Sequence, residues 1–205
     1  VVYVLSLQRG RTNLAALLLA GVALNSVLGA ITSLLLLRSA DGDAVRSVLS
    51  WLVGSLEGRG WDYFHVVKWP ILASAILIVI YSRELNLLAI GEEDAQALGV
   101  NVARTRLILL TLASLMTASA VSIAGAIAFV GLVVPHMLRL VIGPDHRILL
   151  PASLIGGAAF LVLADAVART VIAPELLPVG TVTALVGGPF FLLLLWRNRR
   201  QIGVF

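Results

Sequence analysis

Three histidines, His65, His136 and His146, are the only imidazoles in the chain, and their spacing limits what they can do. A helical zinc pair needs ligands at i and i+4 with an acid nearby as general base. These three stand in separate segments and read as polar residues near a membrane interface, with no metal site implied. The sequence holds no cysteine, which removes disulfides, thiolate metal sites and thiol catalysis from this segment. It also lacks a Gly-x-x-x-x-Gly-Lys-Ser/Thr phosphate loop, a His-Glu-x-x-His pair and a Gly-x-Ser-x-Gly elbow. Neither nucleotide hydrolysis nor a common hydrolase reaction is encoded. One acid stands apart, Asp165, set among apolar residues. An acid within the bilayer is a candidate proton or ion relay. Arg169 follows at i+4, where it can pair with that acid instead, so ion-coupled transport through Asp165 stands as the alternative reading.

The elements that would position these residues are set by composition. Sixty per cent of the residues are hydrophobic and 13% are charged, about half the charge that a soluble globule carries. The solvent is therefore lipid. Several apolar stretches reach the roughly 20 residues a helix needs to cross a hydrocarbon core, and none alternates with the period of a barrel strand. The expected fold is all-α, a polytopic transmembrane helical bundle in one domain over residues 1–205. Spans are expected at 13–37, 64–81, 107–127, 149–167 and 182–196. A compact helix at 131–142, beginning within the bilayer, brings the count to about six crossings. Residues 45–56 are too short to cross and read as a re-entrant or interfacial helix. Residues 1–7 read as the end of a helix whose beginning is missing.

A net charge of +4 raises the question of nucleic acid, but the basic residues form no stripe and lie between apolar segments. Membrane topology explains them better. Arg83, Arg104, Arg106, Arg147 and the terminal Arg197, Arg199 and Arg200 fall on one side, whereas Arg38, Arg59, Lys68 and Arg169 fall on the other. The positive-inside rule makes the first side cytoplasmic. The chain is thus expected to be a multi-pass protein of the inner (plasma) membrane, with loop 83–106 and the C-terminus inside.

That loop contains a stretch at 88–100 that reads as one short helix. Gly91, Glu92, Glu93 and Asp94 open it, with the acids favourable to the helix dipole. Ala95 and Leu98 are offered for packing, and Gly99 supplies a left-handed cap. Such a helix suits a groove on a soluble partner or serves as a cap on the bundle. In the first complete span, Gly21, Asn25, Gly29 and Ser33 recur every four positions, with Ser26 and Thr32 beside them. They face either a pore or a closely packed neighbour.

Glu93-Asp94-Ala95 followed by Gly99 resembles the Glu-Ala-Ala-x-x-x-Gly loop of binding-protein-dependent importers. The run from Leu19 to Asn25, the run from Gly125 to His136, Asp145-His146-Arg147 with Pro151, and Leu177-Pro178-Val179-Gly180 are similar to the FecCD family of permeases. These motifs recur in order from about residue 17 to 196. The resemblance implies the C-terminal portion of a ten-helix subunit that carries an iron–siderophore, haem or cobalamin ligand inward. It implies a second permease copy, as homodimer or pseudo-dimer, and a periplasmic substrate-binding protein. It further implies cytoplasmic ATPase subunits that hold ATP and Mg, while the permease holds no cofactor and is no enzyme. Residues 91–95, 98 and 99 would couple to the ATPase, the first span would line the translocation path, and Arg169 would dock the binding protein. Asp94 departs from the family pattern, where an Ala stands. An intramembrane enzyme is the third reading, disfavoured by the missing nucleophile and metal constellations.

Overall fold

A computed structural model describes residues 7–8, 11–12, 14–39 and 42–197. Of the helix end expected at residues 1–7, all but Leu7 lies outside them, as do the basic residues Arg199 and Arg200, and Leu7 itself stands in a short strand rather than a helix. The chain forms two compact units, Val1–Leu49 and Ser50–Phe205.

In the first unit, the strands β1 (Leu7–Gln8) and β2 (Arg11–Thr12) pair antiparallel, Leu7 opposite Thr12 and Gln8 opposite Arg11. Helix α1 (Leu14–Arg38) follows, 25 residues long, or about 37 Å at 1.5 Å per residue. Its apolar side chains are exposed, as lipid solvent requires, and it ends at Arg38. Helix α2 (Gly42–Val53) is the expected short element, too short to cross; its last turn, from Ser50, belongs to the second unit.

The second unit is a bundle of α3 (Trp61–Ile80), α4 (Ser82–Ile90), α5 (Glu92–Ala97), α6 (Val102–Ala124), α7 (Val130–Ile142), α8 (His146–Thr170) and α9 (Val179–Arg197). Among the described residues, α1, α3, α6 and α8 are long and apolar enough to cross a membrane, whereas α7 and α9 are shorter apolar helices. Helix α7, at 13 residues, reaches only about 20 Å and is preceded at its N-cap by Phe129, which adopts a left-handed conformation with φ of 68°. Pro70, Pro135, Pro151 and Pro189 sit inside α3, α7, α8 and α9; neighbouring helices make such prolines tolerable in membrane spans. Helix α3 packs on α6, α7 on α8, and α8 on α9. The buried core is small among the described residues, with Ala95, Val102, Val133, Val134, Leu149, Ala164, Ala168 and Val179 as its apolar members, since lipid takes the place of a large interior.

One junction is made of backbone alone. The Trp51 carbonyl accepts from Ala126 N–H at 3.3 Å, Ser55 N–H donates to the Ala124 carbonyl at 2.9 Å, and Gly180 N–H donates to the Gly54 carbonyl at 3.0 Å. The exit of α2, the linker after α6 and the start of α9 are thereby laced together. A Cβ on Gly125 would lie 2.1 Å from the Trp51 oxygen, and one on Gly180 would lie 1.7 Å from the Val53 oxygen. Only glycine fits such an approach.

Candidate functional site

The polar segment 83–106 is two helices rather than the single helix expected at 88–100. Gly91 sits between them with φ of 156° and ψ of 154°, a region open in practice to glycine alone, and the helix breaks there. Helix α5 has six residues, too few to be stable in isolation, so its stability comes from its ends and its packing. At the C-terminal end Val100 N–H donates to the Ala95 carbonyl and Gly99 N–H to the Gln96 carbonyl, both at 2.9 Å. With Gly99 at φ of 86°, this is a complete Schellman motif, the cap expected of Gly99. At the N-terminal end Arg106 on α6 pairs with Glu92. Asn101 then caps α6, its side chain accepting from Arg104 N–H at 3.0 Å.

The structure corrects one assignment in this segment. Ala95, expected to face a partner together with Leu98, has no exposure at all, whereas Leu98 is 62% exposed. Ala95 lies inside the chain, where α5 meets α4 and α6. The physical reason is the break at Gly91, which folds α5 back on α4 and turns the alanine inward. Glu93 and Asp94 are exposed beside Glu92, so the surface offered outward is an acidic first turn with Leu98 on the following turn.

A second feature was not legible as a site. Asn86 in the middle of α4 reaches the loop before α8: its Nδ2 donates to Asp145 Oδ1 at 2.7 Å, and its Oδ1 accepts from His146 N–H at 2.9 Å. The His146 ring Nδ1 lies 2.7 Å from the same Oδ1. Asp145 Oδ1 also accepts from Arg147 N–H at 3.0 Å, which makes Asp145 the N-cap of α8. That backbone hydrogen bond first, and the Asn86 amide second, hold the Asp145 carboxyl below its ordinary value, because both stabilise the charged form.

The remaining predicted residues are dispersed. On α1, Asn25, Ser26, Gly29 and Ser33 are exposed and Gly21 and Thr32 partly so, with nothing within 4 Å of a Cβ placed on Gly21 or Gly29. Ser26 and Thr32 donate to the carbonyls of Val22 and Leu28 at 3.0 and 2.9 Å, so their hydroxyls are satisfied within the helix. Arg169 Nε donates to Asp165 Oδ2 at 2.7 Å while 48% of its side chain stays exposed. The local pair therefore exists, and the guanidinium keeps free donors. The histidines serve three separate ends: His65 meets Lys68 Nζ at 2.9 Å, His136 stacks edge-on with Phe190 at 6.2 Å, and His146 joins Asn86. No group of three or more metal-binding side chains forms among the described residues.

Residues 1–197 match the model of the FecCD transport family. The chain belongs to that family. Its FecCD relatives include the cobalamin import system permease protein BtuC of Halobacterium salinarum, 50% identical over 95% of this chain and 52% of the relative. The hemin transport system permease protein HmuU of Yersinia pestis is 45% identical over 98% and 60%. The molybdate import system permease protein MolB of Haemophilus influenzae is 34% identical over 98% and 59%. Among solved structures, a metal-chelate type ABC transporter in an inward-facing conformation aligns with a TM-score of 0.84 at 34% identity, covering 90% of this chain and 60% of that one. The chain thus spans between half and three-fifths of the length of these FecCD relatives.

Proposed function

We propose that this chain is part of the membrane subunit of an ATP-driven importer that carries a metal chelate (a ferric siderophore, haem or cobalamin) inward across the plasma membrane. The observation that carries the reading is the α4–α5 pair between two spans. An acidic turn and Leu98 are exposed there, held by a break at Gly91, a Schellman cap at Gly99, the Arg106–Glu92 pair and the Asn86 contacts. A surface so braced suits the receipt of force from a soluble partner better than it suits covering a bundle. The permease itself makes and breaks no covalent bond; the partner ATPase holds ATP and Mg. Each state of that ATPase must bind one arrangement of α5 better than the other, or no equilibrium shifts.

On the same reading, the face of α1 bearing Gly21, Asn25, Ser26, Gly29, Thr32 and Ser33 lines the path, beside a second permease copy. Arg169 meets an acidic group of the outer binding protein. The cargoes for which these relatives are named range from cobalamin and hemin to Fe(3+) dicitrate and molybdate, so the choice among chelates rests with the binding protein. The pairing of Asp165 with Arg169 leaves an ion-coupled carrier with less support than a mechanical one. The test is reconstitution of the full-length permease with its ATPase and binding protein in liposomes. ⁵⁵Fe–siderophore, haem and cobalamin are offered in turn; uptake of one, dependent on ATP hydrolysis, is expected. Uptake driven by a proton or sodium gradient without ATP would overturn the reading.

A further inference from the structure

Helix α8 runs 25 residues from His146 to Thr170, so about 35 Å of helix separate His146 from Arg169. The first end lies against α4 through Asn86. The second end carries the exposed guanidinium of Arg169.

The chemistry of the Asn86 contact admits one arrangement. A backbone N–H can only donate, so the Asn86 atom facing His146 N–H is the carbonyl oxygen; the amide nitrogen then faces Asp145, whose carboxylate can only accept. Because Oδ1 is an acceptor, the His146 Nδ1 at 2.7 Å must carry a hydrogen. One half-buried side chain thus makes hydrogen bonds to both residues that begin α8, and Asp145 in turn fastens the first turn through Arg147 N–H. Helix α4 also packs on α8, but apolar packing lets helices slide, whereas a three-bond polar contact fixes their register. Leu85 and Leu87 on either side of Asn86 could have been joined by another leucine if packing alone were needed.

Resting on the importer reading above, we infer that Asn86 is the positioning residue that locks the α4–α5 unit to the head of α8. Displacement of α5 by a partner on one side of the membrane is thereby delivered to Arg169 on the other side, and the reverse. Without the lock, α4 and α5 still fold, because their caps and the Arg106–Glu92 pair do not involve Asn86.

The experiment measures phosphate release from MgATP by the full-length permease–ATPase complex in liposomes, with and without purified binding protein. In Asn86→Leu the stimulation by binding protein is expected to fall by about fivefold or more, the size of a typical coupling between sites. Asn86→Asp places a carboxylate against Asp145 and should lose stimulation as well. The exchange Asn86→Asp with Asp145→Asn removes the repulsion between two carboxylates and keeps an acceptor for His146 N–H; with the amide at 145 turned so that its nitrogen faces position 86 and its oxygen still accepts from Arg147 N–H, it should recover stimulation at least in part. Recovery is the readout a merely structural role would not give, and it also serves if Asn86→Leu fails to fold. Wild-type stimulation in Asn86→Leu, or an exchange variant no better than Asn86→Asp, would overturn the inference. If wild-type hydrolysis itself ignores the binding protein, the importer reading fails and the inference falls with it.

Discussion

Arg169 and Asp145 show how one side chain can serve two readings. The Asp165–Arg169 hydrogen bond uses Nε and leaves the terminal nitrogens available, so pairing and docking are compatible. Arg169→Glu is expected to slow association of the binding protein and invert its salt dependence, since a rim charge acts mainly on the on-rate. Association rates at two ionic strengths check this, and an unchanged rate in a well-folded variant would remove Arg169 from the docking surface. For Asp145 the folded-state carboxyl lies below its ordinary value of about 4. Its stabilising contribution is therefore present above that ordinary value and lost as pH falls through the folded value. Asp145→Asn should lower thermal stability at pH 7, where that contribution is fully present, and converge on the wild type in acid below about pH 4, as read by melting curves across pH in detergent. Of these two residues, the Arg169 pair is legible at i+4 in the sequence. The partner of Asp145 is not, because Asn86 stands 59 positions away and no local pattern marks a long-range amide.

Element α5 shows where periodicity stops being informative. The acids of its first turn, its closure at Gly99 and its place between two spans follow from residue types alone. The inward turn of Ala95 does not, because it depends on the φ of Gly91, which sequence spacing leaves open. This changes the expected consequence of mutation. Ala95→Arg forces a charge into a fully buried place and should lower the amount of folded permease, as followed by size-exclusion profiles. Leu98→Asp, on the exposed side, should leave the amount unchanged and weaken co-purification of the ATPase. Normal ATPase recovery with Leu98→Asp would make α5 a cap of the bundle rather than a contact. The helices α1, α3, α6 and α8 were recognisable from length and hydropathy. Helix α6 begins at Val102, five residues before the expected start at 107, because helix propensity and the Asn101 cap carry it through Arg104 and Arg106 before the apolar run begins.

At the scale of the molecule, the orientation expected from the distribution of arginines can be put to a direct test. Cys substituted for Glu93 should react with an impermeant maleimide only in inverted vesicles, and Cys substituted for Glu57 only from the outside. The opposite labelling would exchange the proposed ATPase and binding-protein faces. The backbone junction was not legible in the sequence, because Gly54, Gly125 and Gly180 look there like ordinary loop glycines. That junction bears on how the protein is made. Residues 51–55 leave the ribosome long before Gly180, yet among the described residues the backbone donor to the Gly54 carbonyl is Gly180 N–H. Until α9 arrives, the exit of α2 is an unfinished seam whose polar group must be solvated by water or a chaperone, since lipid offers it no partner. A nascent chain stalled before residue 180 would thus display an open seam to the cell's surveillance machinery, and synthesis of the last helix is the event that conceals it.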